Sequence, residues 1–367
     1  MLKTNLFLLG ALPIVNLLSA TEAQSSLDTR VTRIEEQLAK KNQVKPTISA
    51  SNDFFAEGSY IFWRAYEEGL TYAFLTADKG NPGDRQPSDP FINGPQTFQN
   101  LKFDWDSGFR VGIGYRMPYD AWELGVRWTR LHSHAHGPKL TQTTFDEPFL
   151  QSTWITNTTF ITDSPFTVKA ALKLHLDVLD GGISRFFYAT PRFSLKPQLG
   201  IRGLWITQHY AVSSTGGGSG SIVADIASSS TKVQSQCQGV GLRVAIDTEW
   251  EFYKNWSLYG NIGGSLLSNT FKLKSSSKIL DVNDTLFSSV SSKNTLNGTI
   301  LPTLELALGL AWEYSFNDKA VLSMRGGWEF NDFFHQNKLY SFYNEYDTSY
   351  SEDLTYQGMA LSARLDF

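Results

Sequence analysis

The stretch that decides the fold is Gly239–Phe252, GVGLRVAIDTEWEF. Side chains of an extended chain alternate between two faces. Val240, Leu242, Val244, Ile246, Thr248, Trp250 and Phe252 share one face; Gly241, Arg243, Ala245, Asp247, Glu249 and Glu251 share the other. A soluble strand usually keeps such a pattern for about five or six residues. About ten residues of tilted strand cross a bilayer core, and this alternation runs longer than that. The stretch reads as a membrane-crossing strand, with its apolar face on lipid and its charged face on a water-filled interior.

The same plan recurs. Trp122, Leu124, Val126 and Trp128 alternate with Glu123, Gly125, Arg127 and Thr129. Leu304, Leu306, Leu308 and Leu310 lead into Trp312 and Tyr314, and Leu322 and Met324 lead to Trp328 and Phe330. Aromatic rings at the ends of apolar stripes suit a membrane interface. Tight turns at Pro118-Tyr119-Asp120, Pro191, Tyr253-Lys254-Asn255 and Asn317-Asp318-Lys319 alternate with long polar loops at 78–100, 135–165, 213–236, 275–297 and 335–352. Outer-membrane barrels have this asymmetry, with short periplasmic turns and long extracellular loops. The expected fold is all-β: an antiparallel transmembrane β-barrel of about ten long strands, with Glu67-Glu68-Gly69 a bulge in the first. If that tripeptide is a hairpin, twelve strands is the alternative.

Residues 1–23 read as a signal peptide, with Lys3, an apolar Leu6–Leu18 and small residues before a cleavage point after Ala20 or Ala23. Residues 24–52 form a short amphipathic helix and linker. Leu27, Val31, Ile34 and Leu38 make a coiled-coil seam of fewer than three heptads, which fits a frayed linker or a trimerising segment at 26–42. The barrel domain is 53–367. Charged residues are 19 % of the 367, and the formal net charge is -4, so there is no basic footprint for nucleic acid. Cys237 is the single cysteine, which excludes an internal disulfide framework.

Charged residues on the inferred inner face are the candidate pore lining: Arg110, Arg116, Glu123, Arg127, Lys169, Lys173, Asp177, Arg202, Arg243, Asp247, Glu249, Glu305, Arg325, Glu329 and Arg364. A basic residue facing hydrocarbon costs roughly 2–4 kcal/mol at mid-membrane. Facing inward, opposed charges select solutes by size and charge, or pair across a narrow barrel and close it. His132, His134 and His136 form an H-x-H-x-H run that is a weak candidate for Zn²⁺ or Cu²⁺. No catalytic constellation and no cofactor motif stands out. The chain ends on Met359, Leu361, Ala363, Leu365 and Phe367 at alternate positions, a pattern that resembles the signal read by the outer-membrane barrel assembly machinery.

Several stretches together resemble the Legionella-type major outer membrane protein family, also found in chlamydia-related bacteria. They are Phe62-Trp63-Arg64-Ala65 with Glu68-Gly69-Leu70-Thr71-Tyr72-Ala73, Leu176-Asp177-Val178-Leu179-Asp180, Gly200-Ile201-Arg202-Gly203-Leu204-Trp205-Ile206, Gly239-Val240-Gly241, and the end Leu361-Ser362-Ala363-Arg364-Leu365-Asp366-Phe367. The resemblance covers roughly 53–367, apart from the loops. It implies a porin-like barrel in the bacterial outer membrane, passing small hydrophilic solutes and often oligomeric, with outer-membrane lipid and lipopolysaccharide around it. It implies no catalytic residues. The alternative function is a surface-exposed structural barrel or adhesin with a closed lumen.

Overall fold

A computed structural model describes residues 53–76, 96–118, 122–143, 149–154, 166–216, 226–316, 320–339 and 352–367. The signal peptide and the 26–42 helix lie outside the described residues. The chain divides into two units, 1–49 with 189–191 and 50–188 with 192–367. Of the first, only 189–191 are described; the second holds the barrel.

The strands are β1 (Asp53–Glu67), β2 (Thr71–Thr76), β3 (Gln96–Asn100), β4 (Lys102–Phe103), β5 (Trp105–Arg116), β6 (Trp122–His136), β7 (Leu140–Gln142) and β8 (Phe149–Ser152). They continue as β9 (Phe166–Arg185), β10 (Phe187–Thr190), β11 (Phe193–Thr215), β12 (Ile226–Tyr253), β13 (Trp256–Asp281), β14 (Leu286–Phe316), β15 (Ala320–Asn337) and β16 (Glu352–Asp366). Ten of them close an antiparallel barrel in the order β1-β5-β6-β9-β11-β12-β13-β14-β15-β16 and back to β1. Closure leaves no strand edge in lipid, which a bilayer without hydrogen-bonding solvent requires. The seam is the chain's own last residue: Phe54 and Phe367 exchange backbone hydrogen bonds at 3.0 and 2.9 Å.

The alternation at Gly239–Phe252 has the expected phase. Leu242 is 66 % exposed and Val244 58 %, on the outer surface, while Arg243 is buried on the inner one. Leu306, Leu308, Leu310, Trp328, Met359 and Leu361 are exposed on the same outer band.

The structure departs from the sequence expectation in three places. Glu67-Glu68-Gly69 is neither a bulge nor a barrel hairpin. At Gly69 (φ 76°) the chain leaves the wall, and β2 joins β3 and β8 in a separate three-stranded sheet. The Ser-rich stretches are largely not loops. β11 pairs with β12 as far as Thr215 and Ser228, and β13 with β14 to a turn at 282–285. β12 and β14 are thus 28 and 31 residues long, far beyond what the bilayer needs. Serine has modest strand propensity, but a register already set by the membrane half carries it.

The third correction concerns polarity. Toward the long-loop end the inner face stops being charged and becomes apolar. Leu172, Leu174 and Leu176 of β9, Leu204, Ile206 and Tyr210 of β11, Val233 and Cys237 of β12, and Phe271 of β13 all point inward and are buried. The small sheet packs on them: Leu70, Tyr72, Ala73, Leu150 and Trp154 belong to the same cluster. Trp154 lies 4.6 Å from the Tyr210 ring, and Thr231 donates a hydrogen bond to its carbonyl at 3.0 Å. On the matching outer face stand Lys169, Lys173, Lys232 and the histidines of β6, all partly or fully exposed. The cause is the solvent. In lipid, an outward leucine gains nothing by turning in. Above the lipid, water surrounds the wall, and burying such a side chain is worth about 1.5–3 kcal/mol.

Candidate functional site

The candidate functional surface is the lumen at the level of the apolar belt. β11 shows how it is made: Lys196, Gln198, Arg202 and Gln208 turn inward, while Leu199, Ile201 and Trp205 face out. Arg110 grips Glu329 with two bonds of 3.0 and 2.9 Å. Arg127 Nε meets Glu57 at 2.6 Å. Arg202 donates to both oxygens of Asp180 at 2.6 and 2.7 Å and also pairs with Glu305. Arg243 clasps the same Glu305 at 3.1 and 2.7 Å. Arg325 reaches Glu249 at 3.0 Å, and Asp247 accepts from Asn261 and Gln198.

Nearer the short-turn end a second group gathers on Glu123. It takes Arg116 at 2.5 Å, Arg364 at 2.8 Å and Lys196 at 2.9 Å. Asp366 closes the group through Arg116 at 3.0 Å and Arg364 at 2.7 Å. The Arg364 guanidinium also lies 3.7 Å over the Phe55 ring.

Many of these pairs join strands that are not neighbours in the barrel. β5 to β15 and β11 to β14 are cross-lumen ties. A cavity of about 130 Å³ remains between them, room for on the order of ten waters. Trp63, Leu176, Val178 and Phe333 form part of its wall and belong also to the apolar cluster. The lumen is thus polar at the belt and filled with side chains above it.

Twelve of the expected lining residues are brought together in these two groups: Arg110, Arg116, Glu123, Arg127, Arg202, Arg243, Asp247, Glu249, Glu305, Arg325, Glu329 and Arg364. Lys169, Lys173 and Asp177 are not among them. They occupy the outer face of β9, whose inner face is the apolar run Phe166, Val168, Ala170, Leu172, Leu174, Leu176 and Val178. Asp177 accepts from Trp128 Nε1 at 3.1 Å on that outer face. The lumen also holds Glu57, Asp180, Lys196 and Asp366, which sequence reasoning misses. Glu57 carries a readable signal, since it alternates with Ala56, Gly58 and Tyr60. His132, His134 and His136 stand on the outer face. His132 stacks on His175 with ring centroids 4.3 Å apart, and His134 and His136 lean toward Asp106 and Asp104. Among the described residues no group of three or more His, Cys, Asp or Glu is placed to hold a metal ion.

A family model described as the Legionella pneumophila major outer membrane protein precursor matches residues 39–367. The chain belongs to that family. No curated protein matches the sequence. Among solved structures, the outer membrane protease OmpT from Escherichia coli is similar at 12 % identity and a TM-score of 0.39, over 88 % of this chain and 99 % of that one. The toluene transporter TodX from P. putida is similar at 10 % identity and a TM-score of 0.35, over 87 % and 92 %. A major outer membrane protein from Thermus thermophilus is similar at 11 % and 0.28, over 86 % and 100 %. The family and the closed barrel together make this a β-barrel protein of the bacterial outer membrane.

Proposed function

We propose that the protein is a narrow outer-membrane porin: a passive channel of low conductance for ions and the smallest hydrophilic solutes. The observation that carries the reading is the cavity lined by charged and polar side chains at the depth of the lipid belt. Buried ion pairs are a poor way to stabilise a barrel, because apolar side chains of equal volume fill the same space at equal or lower cost. A lumen kept polar at that cost has a use for polarity. Paired charges still present alternating donors and acceptors to a passing ion, and both signs are represented, so charge preference is weak. The apolar plug above the cavity acts as the resistance in series.

On this reading the long-loop end faces outside the cell. Residues 1–23 direct export, the terminal strand ending in Phe367 is presented to the barrel assembly machinery, and 26–42 draws barrels into a homo-oligomer. The protein is not an enzyme. The second reading, a structural barrel or adhesin with a closed lumen, is favoured by the continuity of the apolar cluster across the upper half.

Planar bilayers decide between them. A porin gives small, ohmic steps, enlarged several-fold by Trp154→Ala, which loosens the plug. A sealed barrel gives no steps in either protein. Absence of current from both, with each shown to be folded, overturns the porin.

A further inference from the structure

Just above the apolar belt the outer wall changes chemistry over three adjacent strands. On β6 the outward series runs Trp128, Arg130, His132, His134. On β9, read in the same direction, it runs Leu179, Asp177, His175, Lys173, and on β11 it runs Trp205, Thr207, His209. The register sets His132 directly opposite His175, and Lys173 opposite both His134 and His209. Arg130, His132, Lys173, His175 and His209 therefore form one basic and imidazole patch.

Leu179, 41 % exposed, stands one step below Asp177 on the outer face, and Trp205, 43 % exposed, stands opposite Asp177. A Cβ on Gly203 would meet the Trp205 ring at 2.8 Å. The benzo edge of the indole therefore lies over that glycine and makes an apolar shelf along the wall. An apolar shelf topped by cations at the height of the headgroups has the two-part chemistry of an anionic lipid.

We propose that this patch is a binding site for a phosphorylated glycolipid headgroup of the surrounding leaflet, with the acyl chains on Leu179 and Trp205. Arg130 and Lys173 supply permanent positive charge, and Arg130 suits phosphate through its planar donor fork. The facing groups are Asp177, 3.8 Å from Arg130, and Asp106 of β5, 3.4 Å from His134. Asp177 offsets part of the Arg130 charge, and Lys173 adds the second fixed cation. Arg130 Nε also donates to His132 Nε2 at 3.3 Å, and His132 stacks on His175, which holds the guanidinium beside the imidazole pair. The site lies on the outer wall and does not depend on whether the lumen conducts.

The test uses full-length protein in neutral detergent, with diphosphorylated and dephosphorylated lipid A, and inorganic phosphate, as probes. The proposal expects the diphosphorylated lipid to bind about tenfold or more tightly than the dephosphorylated one, a difference of about 1.4 kcal/mol. It also expects only weak binding of free phosphate, which cannot use the shelf. Arg130→Gln with Lys173→Gln abolishes the preference for the phosphorylated lipid. Heat-modifiable migration shows that the variant is folded, and unchanged bilayer current shows that the lumen is intact. Equal binding of the two lipids by the parent protein overturns the proposal. So does an undiminished preference in the Arg130→Gln, Lys173→Gln variant.

Discussion

β12 contains two opposite proteins in one strand. Over Gly239–Phe252 its outer face is Val240, Leu242, Val244 and Ile246, and Arg243 and Asp247 look inward. Over the preceding residues the order inverts: Lys232, Gln234 and Gln236 are outside, and Val233, Ser235 and Cys237 are buried within. No bulge separates the halves, since the pairing with β11 runs without a slip from Thr215↔Ser228 to Phe193↔Trp250. The backbone is the same, and only the surroundings of the outer face differ. The lesson is that sheet polarity here follows the local solvent, lipid or water, and not the topology.

The largest mutational effect belongs to the water-surrounded half. Phe271 is fully buried in the apolar plug, and Phe271→Ala should cost about 3–5 kcal/mol, read as a lower denaturant midpoint for the folded barrel. Next is the lipid-facing half. Leu242→Arg should cost about 2–4 kcal/mol, whereas Gln236→Arg, on the same face further along the strand, should change stability by less than about 0.5 kcal/mol. Equal costs would mean that the belt has been placed at the wrong height.

A smaller effect is expected in the lumen. Glu305→Gln leaves Arg202 and Arg243 with reduced compensation. Because Asp180 and Gln198 remain beside them, the loss should be about 1–3 kcal/mol, with current shifted toward anions.

The smallest effect is at the β13–β14 turn. Asp281 accepts hydrogen bonds from the backbone N–H groups of Asn283 and Thr285 and from the Thr285 hydroxyl. The Thr285 bonds hold its carboxyl below the usual aspartate value. A lowered carboxyl pKa means that the turn's stabilisation is full above the ordinary value near about 4 and is lost as pH falls through the lowered one. The protection factor of the Thr285 amide, its exchange relative to the intrinsic rate at each pH, should fall only under acid, and Asp281→Ala should abolish that pH dependence.

The barrel is legible in the sequence because a lipid-facing strand alternates for longer than a soluble one, and Gly239–Phe252 and Leu304–Tyr314 announce it without help. The phase of β9 is not. Leu172, Leu174 and Leu176 alternate with Lys173, His175 and Asp177 as cleanly as any lipid-facing stripe, and apolar spacing cannot distinguish lipid from a packed interior. Hence spacing assigns Lys169, Lys173 and Asp177 to the lumen and misses Asp180, at the point where the inner face regains charge. The small sheet is hidden for a different reason. β2, β3 and β8 are short and distant in sequence, and their partners are chosen by the plug they fill. The Ser-rich parts of β13 and β14 read as loops because neither face is strongly apolar, although each is held by its neighbour's register.

The most direct measurement places single spin labels at Val244 and at Gln236 of β12, with the buried Cys237 replaced by serine, in a lipid bilayer. The two sites share one face and lie about 27 Å apart along the strand. Collisions with oxygen should dominate at Val244, and collisions with a water-soluble paramagnetic chelate at Gln236. Chelate access at both sites, or oxygen-dominated access at both, would contradict a wall whose outer face passes from lipid to water while its interior passes from charged to apolar.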